Sequence, residues 1–307
     1  MSPTSKNKPQ TRTQLTLVIA VAIFSWALAW VSIRAAVSHY SAGQLALGRY
    51  LVASLVLLPL FVIRRPQFAP RDWLLLFGAG VSGFTIYNLC INEGEKTITA
   101  GAAALIASTI PIFATFLAQL FLGEKTRVST WIGGAIAICG VLLIALGEEK
   151  TKGASQGLLA SLSISKGAIL VLIASIGAAV YNVFQKLLLR RYASLDVTTT
   201  AIFCAVLTLI PFGGGLTTAV QTAPAYATWH LIILGIFPGA LGYVLWSQAL
   251  SQMPVAKLVV YLYLIAPLSI LLGWLMLGEL PSTLALWGGA LALGGVIYSN
   301  KPQKAEK

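Results

Sequence analysis

The chain reads as an all-α polytopic membrane protein, with ten transmembrane helices in two inverted five-helix repeats and both termini in the cytoplasm. Three observations predict this. The 307 residues are 57% hydrophobic and only 10% charged, against about 25% charged in an average soluble domain, and the mean hydropathy is +0.84. Apolar runs of about 20 residues, enough to cross a bilayer core as helix, recur along the chain between short polar breaks. Residue patterns of the first half also return, in order, in the second. This composition excludes a soluble enzyme, a disordered chain and a free nucleic-acid binder.

The first span is 15–37. It follows Lys6, Lys8 and Arg12, but it is longer than the roughly 7–15 apolar residues of a signal peptide and reads as a retained helix. Span two, 44–63, ends at Arg64-Arg65-Pro66. Span three, 73–92, stops before Gly94-Glu95-Lys96, and span four, 100–121, stops at Gly123-Glu124-Lys125. Span five covers 130–147. A polar linker, 148–166, separates it from span six, 167–189. Pro211 interrupts span seven, 197–213, and Gly213-Gly214-Gly215 ends it. Span eight, 229–250, ends at Ser251-Gln252-Met253-Pro254, and spans nine and ten are 256–277 and 283–299. The chain thus divides into a first repeat (15–147), the linker, a second repeat (167–299) and a tail (300–307).

Loop charge sets the orientation. Of 21 Lys and Arg residues, 15 fall on the side of the N-terminus (Arg64, Arg65, Arg71, Lys125 and Arg127 among them) and 5 on the other, with Arg49 inside a span. Basic loops stay in the cytoplasm, so both termini are predicted there. The net charge of +12 is therefore a topology signal and calls for no nucleic-acid partner.

The repeat has specific marks. Gly83-(x3)-Tyr87 returns as Gly239-(x3)-Tyr243, and Pro111 as Pro267, at an offset of 156. Leu122-Gly123-Glu124 returns as Leu277-Gly278-Glu279 at 155, and Gly140-Val141 returns as Gly295-Val296. Trp131-Ile132-Gly133-Gly134-Ala135 is echoed by Trp287-Gly288-Gly289-Ala290. An odd number of spans per copy inverts the second copy in the membrane. Inverted repeats are the architecture of secondary transporters.

On these residues the chain resembles the EamA-type, ten-helix members of the drug/metabolite transporter superfamily. The resemblance rests on Pro111 to Leu143 (PIFATFLAQLFLGEKTRVSTWIGGAIAICGVLL) and Pro267 to Tyr298 (PLSILLGWLMLGELPSTLALWGGALALGGVIY). The stretch Trp26 to Arg34 is similar to the family's Trp-Gly-…-Lys segment, with Ala27 in place of Gly and Arg34 in place of Lys. The sixth span departs, with Val180-Tyr181 where a Trp is common. The resemblance covers 15–147 and 167–299 and is greatest to exporters of aromatic and other neutral amino acids. It implies an inner-membrane carrier that works by alternating access on a small-molecule substrate.

Polar side chains in hydrocarbon face the bundle interior, and aromatic rings offer flat contact surfaces. The expected substrate-binding residues are Trp26, Trp30, Tyr87, Asn88, Asn92, Ser108, Tyr181, Asn182, Tyr243, Trp246, Gln248 and Tyr261, lining an uncharged aromatic cavity. Pro111 and Pro267, inside repeat-related spans, are expected hinges. Arg49 is placed near the outer edge of its span, either snorkelling to headgroups or serving as a gate or carboxylate partner. Glu124 and Glu279, at the ends of their spans, are expected to stabilise the turn that follows or a gate. Tyr263 reads as a packing residue.

The alternatives are exporters of other metabolites or drugs, a membrane-embedded lipid-modifying enzyme, and a channel. The enzyme would need clustered carboxylates, histidines or a metal. Cys90, Cys139 and Cys204 are far apart, only His39 and His230 are present, and all nine acids lie at span ends, loops or tails. No catalytic residue, metal or cofactor is expected, and transport is expected to be facilitative.

Overall fold

The computed structural model describes residues 11–94, 106–152, 166–277 and 283–299. Among these, every regular element is helical. Seven helices among the described residues are long and apolar enough to cross a membrane: Arg12–Ile33, Ala42–Arg64, Pro70–Gly94, Lys166–Leu189, Ser194–Phe212, Ala225–Gln252 and Val255–Met276. Three shorter apolar helices accompany them, Ile110–Leu122, Val128–Leu143 and Leu286–Ser299.

Local chemistry fixes the helix ends. Helix α1 (Arg12–Ala36) opens on a capping box of Thr11 with Gln14, and α2 (Ala42–Arg64) on one of Ser41 with Gln44, which satisfies N–H groups that the first turn leaves unpaired. Arg65, at φ 46°, ends α2 in the left-handed region just before Pro66. Gly123, at φ 66°, ends α5 (Ile110–Leu122) in the same way.

The third span is composite. α3 (Trp73–Gly80) and α4 (Tyr87–Gly94) flank a π-helical stretch, Val81–Ile86. The eighth repeats this construction, with α10 (Ala225–Leu234), a π-helical stretch Gly235–Gly242 around Pro238, and α11 (Tyr243–Gln252). Gly83 and Gly239, paired by the sequence repeat, lie one in each π stretch. The ninth span joins α12 (Val255–Leu258) through a 3₁₀ stretch, Val259–Leu264, to α13 (Ile265–Leu277).

Three boundaries differ from the sequence reading. α6 (Val128–Lys152) continues into the expected linker as far as Lys152, because Glu148, Glu149, Lys150 and Lys152 are good helix formers that outweigh Gly147. α8 (Ser194–Leu209) closes in a 3₁₀ turn over Pro211, after which Gly215, at φ 73°, opens a separate short helix, α9 (Leu216–Thr222). α10 begins at Ala225, directly after Pro224, rather than at 229. Residues 95–105, which include the start of the fourth span, and Glu279 lie outside the described residues, as do most of the linker and the tail.

α7 (Lys166–Leu189) and α8 bury long faces against α2, α3 and α4, while α14 (Thr283–Ser299) packs along α6. In that last pair backbones touch. A Cβ on Gly140 would lie 2.5 Å from the Gly288 carbonyl oxygen, and one on Gly133 would lie 2.6 Å from that of Gly295. Each glycine therefore meets the repeat-mate of the other, a reciprocal pairing of the kind two-fold interfaces make. Small residues allow this close approach where lipid offers no hydrophobic drive. Outward-facing side chains such as Leu55, Ile63, Leu74, Leu120 and Leu207 are large and apolar, as a lipid-facing surface requires.

Candidate functional site

The two π stretches meet around a packed set of rings. Trp26 lies 5.2 Å from Tyr243 and 5.0 Å from Trp246 between ring centroids. Phe84 lies 4.6 Å from Tyr243, 5.1 Å from Tyr181 and 5.1 Å from Tyr50, each edge-on. Edge-to-face contact at these separations is the geometry aromatic quadrupoles prefer. The backbone makes room for it. The Tyr181 ring occupies the place of a side chain on Gly83, and a Cβ on Gly242 would lie 3.2 Å from Nε1 of Trp26. Thus a ring from α1 covers the second π stretch and a ring from α7 covers the first. Trp26 Nε1 also donates to the Pro238 carbonyl at 3.3 Å. π stretches of this kind recur at functional sites, since they re-aim side chains.

Polar groups knit the rings together. Trp246, fully buried, donates through Nε1 to Asn182 Oδ1 at 2.9 Å, and Asn182 Nδ2 donates to the Ala178 carbonyl at 2.8 Å. Gln185 donates to the Tyr181 hydroxyl at 2.6 Å and to Thr198 Oγ1 at 3.3 Å. Asn88 donates to the Tyr50 hydroxyl and the Phe84 carbonyl, both at 2.8 Å, while its Oδ1 accepts from Arg49 Nη1 at 2.9 Å.

The structure therefore brings together Trp26, Asn88, Tyr181, Asn182, Tyr243 and Trp246, with Tyr87 half-buried at the start of α4. Asn92 stands one turn further along and donates to the Ala42 carbonyl at 3.2 Å, tying α4 to the start of α2. Ser108 is half-buried in the turn before α5. Tyr261 packs at the edge of the apolar cluster that contains Trp246. Gln248 is half-buried two residues beyond Trp246, a rotation of about 200° that turns it off the ring face. The side chain of Trp30 lies outside the described part of the structure. Tyr263 is buried beside Ala137, Val141 and Val296, as a packing residue.

Two expectations are corrected. Arg49 does not snorkel: it is 5% exposed, bonded to Asn88, with its guanidinium carbon 5.1 Å from the Tyr50 ring centroid. The ring cluster is consequently not bordered by neutral groups alone. Pro111 stands in the first turn of α5 rather than mid-helix, where its missing N–H breaks no helical bond. Tyr50 and Phe84 were not singled out from sequence, although Phe84 adjoins the repeat glycine Gly83 and Tyr50 adjoins Arg49.

Both ends of the bundle are tied across the two halves. At one end Arg64 forms a two-pronged ion pair with Asp196, and Arg191 pairs with Asp72 at 2.9 Å. Tyr192 donates to Asp72 at 2.7 Å, and burial pushes its hydroxyl above the usual range. At the same end the Glu124 carboxylate accepts from the backbone N–H groups of Val255, at 3.1 Å, and Ala256, at 3.3 Å. The opposite end is tied by hydrogen bonds: His39 Nε2 to the Tyr226 hydroxyl and the Tyr40 hydroxyl to Thr228 Oγ1, each 2.8 Å, and Gln44 to the Gly214 carbonyl.

A helical membrane protein whose rings and amides are buried between two π-broken helices has the make-up of a small-molecule carrier. Comparison with known proteins agrees: the profile of the EamA-like transporter family matches residues 14–146 and 165–301, and the chain belongs to that family. It is a transporter, not an enzyme. The chain is 33% identical over 287 residues to a "Probable terminal-alkyne amino-acid exporter" of Streptantibioticus cattleyicolor, covering 92% of each chain. It is 31% identical over 288 residues to the "Uncharacterized transporter YdfC" of Bacillus subtilis, covering 93% of this chain and 90% of that one. It is 25% identical to the "Uncharacterized inner membrane transporter YedA" of Escherichia coli, covering 89% and 85%. A solved structure described only as "Crystal structure of protein" superposes with a TM-score of 0.73 at 18% identity, over 94% of this chain and 97% of that chain, which shows a shared fold.

Proposed function

We propose that this chain exports amino acids, aromatic and other neutral ones, across the inner membrane by alternating access. In this reading it has ten spans in two inverted repeats, with both termini cytoplasmic. The observation that carries the proposal is the buried ring cluster of Trp26, Phe84, Tyr181, Tyr243 and Trp246, where both halves contribute. Such a cluster offers flat apolar surface to a ring or aliphatic side chain, with amide groups beside it for polar atoms. The reciprocal glycine pairing of α6 with α14, and the ring that each half lays over the other's π stretch, support the two-fold reading. With the termini inside, the ion-paired end of the bundle faces the cytoplasm and the opposite end faces outward. Rocking of the halves would break one set of ties while the other holds.

Transport is facilitative in this reading. Among the described residues the buried acids are Asp72 and Asp196, both at helix ends and both paired with arginine. A proton relay usually needs a titratable group at mid-depth. The test is uptake of labelled neutral amino acids by proteoliposomes, with and without an imposed pH gradient at fixed membrane potential. Saturable uptake that equalises concentrations supports the proposal. Absence of uptake removes the substrate assignment, and accumulation driven by the pH gradient removes the facilitative one.

A further inference from the structure

We infer that Arg49 is the anchor for a carboxylate group on the transported molecule. The inference rests on the carrier reading above and names the chemistry its substrate must bear.

Arg49 is the eighth residue of α2, about 10 Å along the helix from its start at 1.5 Å per residue. It is 95% buried by accessible surface, being 5% exposed. A guanidinium carries five N–H donors and a permanent charge. Here one nitrogen meets a neutral amide oxygen, Asn88 Oδ1, and Nε is buried without a hydrogen-bond partner among the described residues. The remaining support is the face of Tyr50. Among the described residues no carboxylate pairs with it, and the buried ones, Asp72 and Asp196, are engaged at the ion-paired end by Arg191 and Arg64. A buried charge without a counter-ion is unfavourable, and in spanning segments such a residue marks function.

The fold itself does not demand this cation. α8 occupies the corresponding place in the second repeat, and no residue from Thr198 to Thr208 is charged. Nor is Asn88 free to turn away. Its two N–H donors are held by the Tyr50 hydroxyl and the Phe84 carbonyl, which fixes its oxygen toward Arg49 and leaves the rest of the guanidinium edge to another acceptor. A carboxylate matches that edge in charge and fork geometry. The site joins the ring cluster through Tyr50 and Phe84, so a molecule with a carboxylate at Arg49 carries its side chain toward the rings. The backbone closes on the same place: a Cβ on Gly235, at the head of the second π stretch, would lie 2.7 Å from the Arg49 carbonyl oxygen. Filling and emptying of the anion site can thus be sensed by the segment expected to move.

The experiment uses the full-length protein in proteoliposomes loaded with phenylalanine, and measures exchange of labelled phenylalanine against three unlabelled competitors. These are phenylalanine, its amide and phenethylamine; the last two keep the ring and amine but lack the carboxylate. Wild type should prefer the acid by about tenfold or more, since a site with an unpaired polar group rejects the analogue that cannot pair it. Asn88→Asp places a carboxylate where the guanidinium already bonds. It should collapse the preference to within about twofold and raise the thermal midpoint, as should Arg49→Gln for the preference alone. If neither variant is monodisperse, Arg49→Lys decides, and its preference should fall but keep its sign. An acid-to-amide ratio near one in wild type, or unchanged in the variants, overturns the anchor. If wild type exchanges no amino acid, the carrier substrate is misassigned and the anchor is judged separately by thermal shift. Stabilisation by phenylacetate in wild type and not in Asn88→Asp upholds it. Stabilisation by none of the carboxylates tested, or equally by chloride, overturns it.

Discussion

Glu124 and Lys186 hold one helix break from its two sides. The Glu124 carboxylate receives the first N–H groups of α12, and the half-buried Lys186 ammonium donates to the last carbonyls before it, Leu250 at 2.6 Å and Met253 at 2.8 Å. An acid at a helix start and a cation at a helix end are each placed where the helix dipole favours them. Glu124 comes from the first half of the chain and Lys186 from the second, so the break at Ser251-Gln252-Met253-Pro254 is fastened to both.

Glu124→Ala should therefore cost about 1–2 kcal/mol, the usual loss for a helix cap, and Glu124→Gln less, because one acceptor oxygen remains. Lys186→Met should also destabilise. Combining it with Glu124→Ala should cost less than the sum, since both act on one segment. Thermal unfolding in detergent measures all three, and strict additivity would contradict the shared-segment account.

The α6–α14 crossing predicts a sharp contrast among glycines. Gly140→Val drives a side chain into the Gly288 carbonyl and the Ala292 amide, and backbone cannot yield as side chains do. The cost should exceed the roughly 1–3 kcal/mol of ordinary overpacking. Gly294→Val, on the same pair of helices, has nothing within 4 Å and should be close to neutral. Size-exclusion profiles and melting midpoints of the two variants compare them directly.

Truncating Trp246 tests the ring cluster, but the choice of substitution matters. Trp246 is 1% exposed, so Trp246→Ala opens a cavity costing about 3–5 kcal/mol and confuses folding with function. Trp246→Phe keeps most of the packing and removes the bond to Asn182, worth roughly 0.6 kcal/mol in a membrane bundle. It should leave yield near normal and raise KM for uptake. Unchanged kinetics for both Trp246→Phe and Asn92→Ala would remove these residues from the substrate path.

Pro111 and Pro267 both stand within the first three residues of an α-helical segment, Pro111 after a turn and Pro267 after the 3₁₀ stretch. There each lacks the N–H that would bond to the preceding turn, and its ring crowds the carbonyl four residues back, so regular α-helix does not run through it from the N-terminal side. Substitution by Ala at either site should lower kcat while changing KM less than about twofold, as expected when a moving segment, not the ground-state site, is altered. A fall in melting temperature with intact turnover would make them packing features only.

Much of this protein is legible in its sequence because lipid imposes a simple rule. Every backbone polar group must be satisfied within the span, so apolar runs become helices and the breaks fall at Arg65-Pro66, Gly123 and Gly215, whose chemistry is local. The paired glycines and prolines could likewise be read at fixed offsets, and with them the ring-bearing spans. What could not be read is which polar groups meet. Arg49 looks like an edge residue when counted from the span boundary. Tertiary packing around α2 buries it, and Asn88 reaches it from 39 positions away. Lys186 counts as a loop charge until α11 ends beside it, and Tyr50 and Phe84 are ordinary apolar positions until two helices loosen into π geometry and turn their rings together. Span and break depend on neighbours in the chain. The site depends on contacts between helices, whose partners the linear order does not specify.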